Sequence, residues 1–98
     1  MKTFKEFLGE SSYEIYHDTF TSAIQTAEEY ANKQGYEVDS EDMADKVGLG
    51  SKKPKGGETN KYSISLLKKG KPQKKALQIQ VYNRETSSKE FELNCYIA

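Results

Sequence analysis

The chain has 98 residues, 35% apolar and 31% charged, with 15 basic and 15 acidic side chains that cancel at neutral pH. At this length one domain is expected, burying about 60–65% of the surface of its unfolded chain around a compact core partly filled by tyrosine. No apolar run reaches the ~20 residues of a membrane-spanning helix, and the N-terminus lacks the apolar stretch of a secretory signal. The single cysteine, Cys95, excludes an internal disulfide framework and fits a reducing compartment.

Thr3-Phe4-Lys5-Glu6 has the form of a capping box, in which the threonine oxygen and the glutamate each satisfy an orphan backbone N–H. Phe4, Phe7 and Leu8 then share one helical face, and Gly9 ends the turn. A helix of about two turns does not hold alone in water, so this one is expected to form only when docked. Ser11 and Ser12 break the pattern, and Tyr13, Ile15 and Tyr16 read as a short extended lead-in. Residues 1–12 are therefore set apart as a leader or flexible N-terminal segment, and 13–98 as a single domain.

The main helix is expected from Asp18 or Thr19, as N-cap, to Gln34. Phe20, Ala23, Ile24, Ala27, Tyr30 and Ala31 form one apolar stripe. Gly35 suits the position after the helix, where a left-handed backbone is cheap only for glycine. Tyr36 to Val38 is a short strand or an extended connector. Asp39 or Ser40 caps a second, short helix with Glu41 and Asp42 in its first turn, where the helix dipole favours acids. Met43 and Val47 anchor it at i, i+4, and Gly48 closes it.

A polar loop from Gly50 to Asn60 leads into three alternating stretches. Tyr62, Ile64 and Leu66 alternate with serines. Leu77, Ile79 and Val81 alternate with Gln78, Gln80 and Tyr82. Phe91, Leu93, Cys95 and Ile97 alternate with Glu92, Asn94 and Tyr96. Period-two alternation marks strands with one face buried and the other wet. Lys69-Gly70-Lys71-Pro72 and Thr86-Ser87-Ser88 are the turn signals between them. The expected fold is α+β, with one long and one short helix packed on a three- to four-stranded, mainly antiparallel sheet. Cys95 should be a buried, inert thiol.

Functional signals lie mostly outside the strands. Met1-Lys2-Thr3-Phe4-Lys5-Glu6-Phe7-Leu8-Gly9-Glu10 resembles the capsid-targeting leader of internal head proteins of T-even-type tailed phages. The resemblance implies that Phe4, Phe7 and Leu8 dock on the prohead scaffold. It also implies that the prohead protease cuts after Glu10, two positions beyond Leu8 and just before Ser11. It covers ten residues and implies nothing about the fold of the rest; an ordinary N-terminal helix packed on the domain is the other reading. The remainder is similar to small proteins of marine T-even-type phages in its Lys-Pro loop, its Lys-Gly-Lys hairpin and its Glu-Leu-Asn-Cys-Tyr-Ile end. The location implied is the virion head, with the host cytoplasm before packaging.

The zero net charge conceals a separation. Residues 1–45 hold three lysines and eleven acids, whereas 46–75 hold ten lysines and Glu58. Lys52, Lys53 and Lys55 fall in the polar loop, and Lys68, Lys69, Lys71, Lys74 and Lys75 at the first hairpin. If loop and hairpin share one end of the sheet, eight ammonium groups line one edge and bind DNA non-specifically by counterion release. Lysine rather than arginine disfavours bidentate base reading. The same lysines also suit the protection of sheet edges, or pairing with the acidic half of another copy, which is weak self-association. Tyr82 and Tyr96 share the outer face, where aromatics can stack single-stranded bases, although tyrosine is also simply a favoured strand residue.

No catalytic constellation is visible. Gly48 to Lys53 lacks the phosphate-loop spacing, and Asp39, Glu41, Asp42 and Asp45 lack the order and glycine of a calcium loop. His17, the only histidine, has no cysteine or second histidine near it in sequence and so makes a poor metal site, and no serine or cysteine partner for catalysis is identifiable. An enzyme is not expected, nor is a cofactor, a metal or a membrane partner. The expected function is a virion or internal head protein. The alternative is a non-packaged cytoplasmic module that binds nucleic acid or a host protein during infection.

Overall fold

A computed structural model describes residues 13–49 and 53–98. The elements are β1 (Tyr16–His17), α1 (Phe20–Lys33), β2 (Glu37–Val38), α2 (Ser40–Met43) with a wider π-type coil over Ala44–Leu49, β3 (Thr59–Lys68), β4 (Lys71–Asn83) and β5 (Phe91–Ile97). The strands form one antiparallel sheet in the order β1-β5-β4-β3-β2. The class is α+β, as expected, with helices packed on an antiparallel sheet. The strand count is five rather than three or four. Two-residue strands close both edges, too short for any alternation to show in sequence.

The order β1-β5-β4-β3-β2 puts β1 and β2 on opposite edges, so α1 must carry the chain across the sheet. Four inter-strand spacings span ~19 Å, and the 14 residues of α1 at ~1.5 Å each reach ~21 Å. Thr19 caps the helix by accepting from the Ser22 amide (3.0 Å), and Gly35 follows its end at φ 92°. Ala23, Ala27 and Ala31 are fully buried, one above another at i, i+4, i+8. Their small side chains let the helix backbone lie close to the sheet.

Beneath α1 sit Tyr62, Ile64 and Leu66 of β3, Leu77, Ile79 and Val81 of β4, and Phe91, Leu93 and Cys95 of β5. These are the inward positions of the three alternating stretches. Both β3 and β4 run longer than the alternation indicated, because Thr59–Lys61 and Lys71–Ala76 belong to the strands without contributing large apolar residues.

Edge groups are closed by side chains. Beyond β1, the Cys95 amide donates to the Tyr13 hydroxyl (3.0 Å), and the Tyr13 ring meets Tyr30 edge-on at 5.3 Å. Burial, the largest cause, raises both tyrosine pKa values. The Cys95 thiol is pushed up to about 12 by burial, so it stays protonated and unreactive near neutral pH. Beyond β2, Asp42 accepts from the Ser65 amide (2.8 Å), and Lys46 donates to the Ser63 carbonyl (2.7 Å) while pairing with Asp42 at 3.1 Å. Asp39, not Ser40, is the cap of α2, and the coil runs through Gly48 rather than stopping there.

Candidate functional site

Ala98, just after β5, exchanges backbone hydrogen bonds with Ala76; among the described residues, the β3–β4 hairpin beyond that pair has β2 alongside as its one further strand. Lys68 pairs with Lys71, and the two residues between them, Lys69 (φ 53°) and Gly70 (φ 78°), are both left-handed. That is the backbone of a type I′ turn, whose twist matches that of the strands. Between the pairs Ser65–Ala76 and Leu67–Pro72, three residues of β4 face one of β3. The resulting bulge holds Lys74 and Lys75, and Pro72 stands where β4, among the described residues, has no second neighbour.

Lys68, Lys69, Lys71, Lys74 and Lys75 are all exposed on this tip. None is in an ion pair among the described residues. Lys68 Nζ lies 5.4 Å from the centre of the Tyr36 ring, and Glu37 accepts from the Gly70 amide at 3.4 Å. Five ammonium groups on a projecting ribbon form a concentrated positive end.

The eight-lysine edge does not form. Lys53 and Lys55 sit at the other end of the sheet, in a loop tied to the end of β4: Asn83 Nδ2 donates to the Pro54 carbonyl (3.1 Å) and the Gly57 amide to the Asn83 carbonyl (2.9 Å). The ten residues of β3 separate the two groups by ~30 Å. Lys52 lies outside the described residues, as do the docking face Phe4, Phe7 and Leu8 and the cleavage residues Leu8, Glu10 and Ser11.

His17 has a partner that its sequence neighbourhood did not reveal. Its Nε2 is 2.7 Å from the Glu14 carbonyl oxygen, which only an N–H can satisfy, and Nδ1 shares a hydrogen bond of 2.8 Å with the Ser22 hydroxyl. The ring is 2% exposed. With both nitrogens engaged in a closed space, the imidazole ties the lead-in and β1 to the first turn of α1. Two shallow depressions flank α1, about 240 Å³ beside Tyr13 and Tyr30 and about 310 Å³ between Phe20, Ile24 and Val47. The first is also lined by Glu14, Thr26, Glu29 and Lys33, the second by Thr21, Gln25, Gly48 and Lys53. Among the described residues no three His, Cys, Asp or Glu side chains come together as a metal site, and no helix is long and apolar enough to cross a membrane.

Compared with protein-family models, with curated proteins and with solved structures, the chain matches none.

Proposed function

We propose that this chain is an internal head protein of a T-even-type tailed phage, directed into the prohead by residues 1–10, cut after Glu10 by the prohead protease, and contacting packaged DNA without sequence preference. The observation that carries the DNA contact is the projecting tip with Lys68, Lys69, Lys71, Lys74 and Lys75 exposed and, among the described residues, free of ion pairs. Unpaired ammonium groups release counterions from a polyanion without first breaking a protein contact. The leader reading is carried by Phe4, Phe7, Leu8 and the Leu8-Gly9-Glu10-Ser11 stretch. Residues 13–98 hold a crossing helix, a five-stranded sheet and the core between them, as a domain that outlives its leader requires. The proposed role is binding rather than catalysis.

The deciding measurement is the mass and N-terminal residue of the protein in purified virions. A chain beginning at Ser11 supports packaging and maturation together. An intact chain in virions keeps packaging and removes cleavage. Intact protein confined to infected cells turns the reading into the cytoplasmic module.

A further inference from the structure

The sheet has two faces, and α1 covers one. On the other, the outward positions of β3, β4 and β5 carry Lys61, Gln78, Gln80, Tyr82, Asn94 and Tyr96, and no helix among the described residues lies over them. Three tyrosines stand open there: Tyr16 at 44%, Tyr82 at 36% and Tyr96 at 48% exposure. The strand register arranges them. Tyr16 and Tyr82 both pair with Glu92, from opposite sides, while Tyr96 lies four residues further along β5, ~13 Å away. Between the two tyrosine rows runs a polar row in which Lys61 pairs with Gln80 and Gln80 with Asn94. The Arg84 guanidinium stacks on the Tyr16 ring at 4.5 Å.

We propose that this face is a binding platform for single-stranded nucleic acid. It uses different residues from the hairpin tip and stands without the phage reading. Separated aromatic rings give stacking surfaces that any base can use. The amides between them carry donors and acceptors in reach of base edges, and Arg84 and Lys61 supply positive charge for the backbone. A duplex keeps its base faces stacked inside and cannot use the rings, so the platform selects single strands. Glu92 is the one acid at the outward positions of β3 to β5; it accepts from Asn94 Nδ2 at 3.3 Å. Its charge opposes a phosphate backbone, which makes it a built-in control.

The test is a fluorescence-anisotropy titration of labelled oligothymidylate and of a duplex of equal length against the full chain. Variants are Tyr82→Ala, Tyr96→Ala, their Phe counterparts, Glu92→Gln, and Lys69→Glu with Lys71→Glu, each checked by thermal melting. The expected result is about a tenfold loss of single-strand affinity for each alanine, unchanged duplex affinity, near-full retention by the Phe variants, and tighter binding for Glu92→Gln. Single-strand affinity that is unaffected by both alanines, or absent in the wild type at low salt, overturns the platform. The lysine reversals report on the tip alone: if they leave duplex binding intact, the tip reading fails while the platform is judged on its own variants.

Discussion

Asn83 carries the alternation of β4 one step past its last apolar residue and so directs a carboxamide into the end of the core. It is 4% exposed and makes three side-chain bonds: Nδ2 donates to the Pro54 carbonyl (3.1 Å) and to Glu90 Oε2 (2.7 Å), and Oδ1 accepts from the Glu85 amide (2.8 Å). One amide thus holds the loop before β3 and the loop before β5. Asn83→Ala should cost about 2 kcal/mol, since it strands buried polar partners that water replaces only in part. Asn83→Asp should cost more, because a carboxylate there faces Glu90. Urea denaturation midpoints measure both. The inward position of Asn83 is legible from the alternation; its partners are not, since Pro54 lies 29 residues away. Ser22 lies five residues from His17, yet their contact needs the turn between β1 and α1 that only the folded chain makes. Asp42 is a second residue whose role depends on the fold. The Ser65 amide, foremost, and then Lys46 hold its pKa below the ordinary carboxylate value, against an opposing effect of desolvation. A depressed folded value means the stabilisation is full above the unfolded pKa of about 4. It is lost as pH falls through the folded value. The melting-temperature gap between wild type and Asp42→Ala should therefore be flat above pH 5 and narrow steadily below pH 4.

Among the elements, the legible ones are those whose own residues repeat a burial pattern. The stripe of α1, with Thr19 before it and Gly35 after it, and the inward residues of β3, β4 and β5 all lie where their periodicity puts them. β1 and β2 were legible only as an extended lead-in and as a short strand or connector, because two residues cannot show a period and are fixed as strands by their pairing with β5 and β3. The hairpin tip is the intermediate case. Lys69-Gly70 is recognisable as a turn, but Lys71 to Lys75 looks like loop because its strand has no core beneath it. Within the turn, Lys69 holds a left-handed backbone that costs a residue with a side chain about 1 kcal/mol. Asparagine tolerates this conformation, and Asn-Gly is the favoured type I′ pair. Lys69→Asn should therefore raise stability by ~0.5–1 kcal/mol in the same urea assay. A destabilised variant would mean that the turn is not type I′ in solution.

At the scale of the whole molecule, the separation of charge along the chain was legible, but its distribution in space was not. Lysines 53 and 55 adjoin the hairpin lysines in any count along the sequence, yet the length of β3 places them at the far end of the sheet. The two arrangements differ in a measurable quantity. Each phosphate neutralised on duplex DNA contributes about −0.9 to the slope of log K against log salt. A tip engaging five phosphates gives a slope near −4.5, whereas one edge of eight lysines would give about −7. Titrating duplex DNA over about 50–200 mM salt should return the smaller slope. Reversing Lys69 and Lys71 should lower its magnitude by about 2, while neutralising Lys53 and Lys55 should leave it unchanged. A slope near −7 that falls on neutralising Lys53 and Lys55 would mean that one duplex reaches both ends of β3, and the tip would then be half of a larger footprint rather than the site itself.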